Sequence, residues 1–432
     1  MGQTLGKWAA MNVTRNITLD AALDEAKREY ADRNPASLAH HQKATGPMPG
    51  GNTRSVLFYD PFPVTFTRGE GARLWDLDGH EYRDFLGEYT AGIAGHSHPA
   101  VRAAVIRALE AGINMGGHNT LEPRFAELVT ARFPSMRQVR FTNSGTEANL
   151  LAISTAVAKT GRKQVMVMRN GYHGAVFTFS GGKNINAPFD YVYGTYNDID
   201  ATLAEIRANA DSLACVILEP MLGGGGCIPA ELPFLQALRE ETRKHGIVLI
   251  FDEVMTSRLS PGGLQQALGV LPDLTTLGKY IGGGMSFGAF GGGAELMGLF
   301  DPRRADALPH AGTFNNNVLT MAAGIASLTE VYPPAEADRL NAVGEALRGR
   351  LNAVAQKHGV AMQFTGRGSM IAAHMLRGAI RAPADAAKGN MKARDLLFFD
   401  LLRSNIWIAR RGMMALSVPL TEADCAVLVA AV

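Results

Sequence analysis

Ile247-Val248-Leu249-Ile250-Phe251-Asp252-Glu253, followed some twenty residues on by Leu274-Thr275-Thr276-Leu277-Gly278-Lys279-Tyr280-Ile281-Gly282-Gly283-Gly284, is the stretch on which the reading of this chain turns. The first run is continuously apolar and ends on acids, the pattern of a strand buried on both faces. The second sets Lys279 among apolar residues and glycines with no other basic residue nearby. Desolvation disfavours an ammonium ion, so a lysine in such surroundings has a lowered pKa and serves as an amine nucleophile toward a carbonyl. An acid at the end of the neighbouring strand suits a pyridine-ring cofactor, because a carboxylate facing the ring nitrogen keeps it protonated and makes the ring an electron sink. Lysine and acid together point to pyridoxal 5'-phosphate (PLP). A P-loop fails on spacing: Asp273 stands five residues before Gly278 where a glycine is required, and Tyr280 replaces the Ser/Thr that would hold magnesium.

A lone lysine after a strand is by default a solvated loop residue, so the flanking pattern has to carry the reading. Val139-Arg140-Phe141-Thr142, Gln164 to Met168, Ala214 to Leu218 and Ile247 to Phe251 are strand candidates, with helical stretches such as Glu147 to Lys159 and Leu232 to Lys244 between them. Apolar strands alternating with helices predict an α/β fold with a mainly parallel sheet covered on both faces, and ligands in such sheets bind beyond the carboxyl ends of the strands. Upstream, Leu19 to Arg33 has helical spacing and stops at Asn34-Pro35; a Gly/Pro-rich loop spans Gly46 to Arg54, and Phe62 to Asp84 alternates around Asp78-Gly79 as a hairpin does. Past Met321 a long helical stretch through Leu351 and short strands near Met362 to Phe364 and Met414 to Val418 predict a smaller α+β domain. The expected division is residues 1–65 as an N-terminal segment contributing to the small domain, 66–320 as the large domain and 321–432 as the C-terminal small domain.

Four segments fall at strand ends. Asn143-Ser144-Gly145-Thr146-Glu147 opens a helix with small and hydroxyl residues, suited either to a phosphate or to an ordinary N-cap. Gly171-Tyr172-His173-Gly174 places an aromatic ring where it can stack on a flat cofactor or simply pack at the rim. Glu219-Pro220 and Asp252 each close a strand with a carboxylate. Phosphate cradle, ring, acid and lysine in this order carry far more weight together than singly.

These motifs, with Asp252-Glu253-Val254-Met255-Thr256, Leu277-Gly278-Lys279 and Gly312-Thr313-Phe314, resemble the class III aminotransferases of PLP fold type I over residues 45 to 425. Within that class the chain is similar both to glutamate-1-semialdehyde aminomutase and to the β-amino-acid aminotransferases. The resemblance implies that Lys279 holds the cofactor covalently and moves the substrate proton, and that Asp252 pairs with the pyridinium nitrogen. It also implies that Ser144, Gly145 and Thr146 hold the phosphate, that Tyr172 and Val254 cover the two ring faces, and that Glu219 lies near the phenolic edge. Thr313 is expected to reach the phosphate from a partner subunit, which implies a homodimer with shared active sites; Glu253 is left outside the catalytic set.

The substrate rests on two arginines. Arg54 follows the Gly/Asn loop and Arg411 precedes the last short strand, and arginines in these contexts receive substrate carboxylates in similar β-amino-acid aminotransferases. A guanidinium binds a carboxylate through two parallel charge-assisted hydrogen bonds. The adjacent Arg410 competes with Arg411 for the inward position. Val318 stands where the aminomutase pattern has proline, and Arg54-Ser55-Val56-Leu57-Phe58-Tyr59 adds apolar and aromatic residues for a side chain. The expectation is ping-pong transfer of the amino group from an aryl or apolar β-amino acid to 2-oxoglutarate or pyruvate, with Arg411 mobile between the two. A glutamate-1-semialdehyde aminomutase-like isomerase, an ω-amine transaminase and a PLP-binding scaffold without turnover are the alternatives.

The whole chain bounds this reading. Its 432 residues, 47% hydrophobic and 19% charged with a formal net charge of +2, describe an ordinary globular protein with no global reason to bind nucleic acid or an anionic membrane. Cys215, Cys227 and Cys425 are too few and too irregular for a disulfide framework or a zinc site, so no metal is expected and the thiols are read as reduced, which fits a cytoplasmic protein. The first residues carry charges at Lys7, Arg15, Asp20, Asp24 and Glu25 without an apolar run, so neither secretion nor membrane spanning is expected, and Gly6 breaks the myristoylation pattern.

Overall fold

The computed structural model describes residues 18–432; Gly6, Lys7 and Arg15, on which the reading of the first residues partly rests, lie outside them. A seven-stranded sheet forms the centre, in the spatial order Gln138–Thr142, Gly288–Gly292, Leu274–Gly278, Val248–Asp252, Leu213–Leu218, Gln164–Met168, Asp190–Gly194. Gly288–Gly292 runs antiparallel to both its neighbours, and the remaining pairs are parallel. Leu213–Leu218 and Val248–Asp252 are buried at every position, as continuous apolar strands between two helical layers must be.

The helices that cover this sheet have local causes. Gly145–Thr160 starts at the N-cap Ser144, whose hydroxyl accepts from Glu147 N at 3.1 Å, and lays Ala148, Ala152, Ile153 and Ala156 on the sheet. Leu232–Lys244 has Pro at its first turn and Arg243 and Lys244 at its last, matching the helix dipole. Asn34-Pro35, expected to end the first helix, also begins a second, Pro35–Ala44, since proline at the first helical position costs no hydrogen bond. Similarly the long stretch after Met321 is two helices, Val318–Ala326 and Pro334–Lys357, parted at Pro333-Pro334.

Phe66–Glu70, Arg73–Asp76 and Glu81–Asp84 form an antiparallel ribbon that Ile406–Trp407 extends in parallel. The ribbon thereby ties residues 66–84, expected in the large domain, to the C-terminal segment expected in the small one. Gln363–Arg367, Met370–His374 and Met413–Ala415 make a three-stranded antiparallel sheet beside it. One apolar core runs through these outer layers, from Tyr30, Tyr59 and Phe62 to Phe398, Phe399 and Leu428. Among the described residues no helix is long and apolar enough to cross a membrane.

Candidate active site

Parallel pairing puts Asp252 opposite Thr276, three residues before Lys279, so acid and lysine leave neighbouring strands at the same sheet end. Asp252 is buried and held by three protein groups. Its Oδ1 accepts from Val254 N at 3.0 Å, and its Oδ2 accepts from Asn149 Nδ2 and faces His173 Nδ1, both at 2.8 Å. Thr276 Oγ1 donates to Asn149 Oδ1 at 2.6 Å and Asn149 Nδ2 also donates to His173 O at 2.9 Å, which locks the amide in place. Asn149 and His173 were not among the residues expected in the site. The signal for Asn149 was present, as a polar residue on the largely apolar inner face of its helix.

Lys279 opens a short 3-10 turn with φ of 55°, a left-handed value that non-glycine residues rarely take. Burial pushes its ammonium down to about 8, partly opposed by the Asp252 carboxylate and reinforced by Arg54 and Arg411. Val254 sits between Asp252 and this turn: a Cβ at Gly145 would lie 2.9 Å from Val254 Cγ2, and one at Gly278 would lie 3.2 Å from Val254 Cγ1. Val254 is thus wedged between the start of the Gly145–Thr160 helix and the residue before Lys279.

That helix start contributes Ser144, Gly145 and Thr146. Ser144 is an N-cap in the ordinary sense, while Thr146 Oγ1 accepts from Ala175 N at 3.3 Å and fills the space beside Gly174. Tyr172 is 48% exposed, its ring open to solvent and its backbone N donating to Glu219 Oε2 at 3.1 Å. Glu219 is buried; Gly223 N donates to its other oxygen at 3.0 Å, and burial raises its carboxyl to about 7 despite those two donors and His173.

Arg54 and Arg411 meet on one ring, with their guanidinium carbons 5.4 and 5.1 Å from the centroid of Tyr89. Arg54 also pairs with Glu88. Arg410 is turned away and clamped by Asp395 through two hydrogen bonds of 3.0 and 2.6 Å, which leaves Arg411 as the inward residue of the pair. Of the neighbouring apolar run, Val56 and Phe58 are exposed, but Tyr59 is buried against Tyr30 and Phe398 with its hydroxyl accepting from Val64 N at 2.8 Å. Tyr59 is therefore core. Glu253 is structural as well: Leu264 N, Gln265 N, Gln265 Nε2 and Thr256 Oγ1 all donate to its carboxylate, which caps the Gly263–Leu268 helix. Thr313 lies exposed on a loop that Asn119 and Asn316 fasten to residues 114–119.

A lysine with a depressed amine, a buried acid and a helix N-terminus at one sheet end match a known family. The aminotransferase class-III model matches residues 58–390. The chain is a class III aminotransferase. It is 54% identical over 418 residues to β-phenylalanine transaminase of Variovorax paradoxus, covering 96% of each chain, and the crystal structure of a β-phenylalanine aminotransferase from that organism superposes with a TM-score of 0.94 over 96% of both. It is 39% identical to glutamate-1-semialdehyde 2,1-aminomutase of Sorangium cellulosum over 84% of this chain and 86% of that one. A transaminase structure with PLP bound is 33% identical, covering 92% of this chain and 96% of that one, with a TM-score of 0.85. The fold is that of the PLP-dependent class III enzymes, and PLP is this aminotransferase's cofactor.

Proposed function

We propose that this aminotransferase moves the amino group of a β-amino acid with an aryl or other apolar substituent to a 2-oxo acid such as 2-oxoglutarate or pyruvate. The observation that carries the reading is the pair of guanidiniums, Arg54 and Arg411, on the single ring of Tyr89 and close enough to Lys279 to depress its amine. Two positive groups beside one reactive amine suit substrates that bring a carboxylate each. The 54% identity to β-phenylalanine transaminase supports the β-amino acid over an amino-aldehyde, as does Val318 at the aminomutase's proline position.

Lys279 is proposed as the residue that anchors PLP through Nζ. PLP, when bound, supplies a carbonyl that condenses with amines and a pyridinium that draws electron density from the adjacent carbon. The residues fit it. Asp252 is proposed to hold the pyridinium proton, a task for which Asn149 and His173 keep its carboxylate oriented. Ser144, Gly145 and Thr146 would hold the phosphate at the helix N-terminus, where backbone N–H groups and the dipole favour an anion. Tyr172 would cover one ring face and Val254 the other, with Glu219 at the phenolic edge. With its amine free, Lys279 Nζ would serve as the base that takes the proton from the substrate carbon and holds it for return. Arg54 and Arg411 would orient the carboxylates, and Arg411, which has no acidic partner among the described residues, is proposed to swing between the two ligands.

We also propose a cytoplasmic homodimer in which Thr313 of one chain completes the phosphate site of the other. The exposed Thr313 and the apolar Met115 and Phe314 beside it support a covered surface there. A light-scattering mass of a single chain would defeat that assembly. The function itself is tested by following the cofactor's absorbance on adding α-, β- and γ-amino acids and simple amines in the absence of an acceptor. β-Phenylalanine should change the spectrum and an oxo acid should reverse it. A spectrum that answers only to simple amines, or acceptor-free isomerisation of an amino-aldehyde at high rate, would overturn the reading.

A further inference from the structure

The turn Gly87-Glu88-Tyr89-Thr90 is left-handed throughout, with φ of 53°, 48°, 52° and 80°. A single non-glycine residue in that region is uncommon, and three in succession persist only where the surroundings over-determine them. Here the determinant is Asp84. Its buried carboxylate accepts from Leu86 N at 2.8 Å and Gly87 N at 3.0 Å and faces His96 Nε2 at 3.0 Å, while Gly92 N donates to Gly87 O at 2.9 Å. The turn so fixed points its side chains in two ways. Tyr89 goes inward, giving Arg54 and Arg411 their common ring, and Glu88 stays exposed and pairs with Arg54. The two arginines are therefore unequal: Arg54 carries a carboxylate, whereas among the described residues Arg411 donates only to Met413 Sδ at 3.3 Å and its Nε has no acceptor.

We propose that Glu88 is a specificity-determining residue, an internal carboxylate that masks Arg54 until a substrate carboxylate displaces it. The inference rests on the reading of Arg54 as a carboxylate receiver. A substrate whose end is uncharged cannot replace the Glu88–Arg54 pair, and must leave a paired arginine in place against its own apolar group. A carboxylate exchanges one ion pair for another, and the released Glu88, already at the surface, returns to water at little cost. Arg54 thus accepts carboxylates by exchange, and Arg411 remains open to a second one. The strained turn holds the mask in register with the arginine, which a flexible glutamate on an ordinary loop would not do.

Titration of the PLP-loaded enzyme with phenylpropanoate, and separately with the corresponding alcohol, tests this without turnover. Glu88→Gln should tighten phenylpropanoate about two- to fivefold, the scale of one exposed ion pair, and leave the alcohol unchanged. In an Arg54→Ala background the gain from Glu88→Gln should vanish. Carboxylate binding that is unchanged or weaker in Glu88→Gln would overturn the proposal, as would a gain that survives without Arg54, which would reduce the effect to net charge. If Arg54→Ala weakens the carboxylate but Glu88→Gln does not tighten it, only the masking role fails. If Arg54→Ala leaves the carboxylate untouched, the reading of Arg54 falls and this inference with it.

Discussion

Lys279 and Asp252 show how far a residue's chemistry follows from what surrounds it. The lysine's amine is held down to about 8 from an ordinary 10.5 chiefly because burial disfavours the ammonium form. A lowered pKa means that the neutral, nucleophilic amine predominates above about 8. The rate at which apoenzyme recaptures PLP should therefore rise with pH through about 8 and then level off. A rate still climbing tenfold per unit toward 10.5 would show that the amine is not depressed. Asp252 is held by Asn149, His173 and its own turn, so Asp252→Asn should keep the shape of the site and lose the charge. Cofactor should still bind while kcat falls about 10²-fold or more, since a neutral amide cannot hold the pyridinium proton; wild-type turnover would defeat the assignment. The placement of both was legible in the sequence, because Asp252 closes a continuously apolar strand and Lys279 is the lone charge in a run of apolar residues and glycines. Asn149 and His173 were harder to see: a polar residue on a largely apolar helix face marks Asn149, but nothing local shows which distant carboxylate either residue braces. Arg411 could not be separated from Arg410 for the same reason: the clamp on Arg410 comes from Asp395, on another element.

At the scale of elements, the Gly145–Thr160 helix is the part of the fold that sequence reading recovered almost whole, because N-cap, apolar face and C-terminal Gly161 agree. The strands read correctly include the continuous apolar ones of the central sheet and the alternating hairpin around Asp78-Gly79. Leu274–Gly278 and Gly288–Gly292 were missed as strands, since glycine and threonine hide a strand whose burial is imposed by its neighbours, and Asp190–Gly194 was missed as a half-exposed edge. The two ends of the Gly145–Thr160 helix provide a test of what its N-terminus does. Gly174 has φ of 123°, and a Cβ there would overlap Thr146 Oγ1; Gly161 has φ of 69° and nothing within 4 Å. Gly161→Ala should cost about 1 kcal/mol of stability through backbone strain alone. Gly174→Ala should add a displaced Thr146 and weaken PLP about tenfold, measured as cofactor dissociation on dilution. Equal cofactor affinity in the two variants would remove Thr146 from the phosphate site.

Across the whole molecule, the central sheet and the outer sheets are joined by a residue that no motif announces. Arg258 is fully buried in the turn that follows the Val248–Asp252 strand, and its side chain donates to Ser369 Oγ at 3.0 Å, to Thr90 O at 3.4 Å and to Leu416 O. Tyr332 and Asn341 close the other side by donating to its carbonyl at 2.7 and 2.8 Å. The segments it gathers stand far apart in the chain, so only the folded arrangement brings them together. All the acceptors of its side chain are neutral, and burial lowers its pKa. Two effects then oppose each other when it is replaced. Losing the guanidinium removes the cost of a buried charge but strands three acceptors, and charge-assisted hydrogen bonds contribute about 1.5–3 kcal/mol each. The hydrogen bonds should win, so Arg258→Met is expected to lower stability by roughly 3 kcal/mol. Arg258→Lys keeps the charge yet cannot match a forked donor with three separated oxygens, so it should be at least as destabilised as the methionine variant. The check is the urea midpoint at fixed protein and PLP concentration, with the slope compared so that a change in compactness is not mistaken for stability. A lysine variant as stable as wild type would mean that charge alone, and not the fork, holds the layers together.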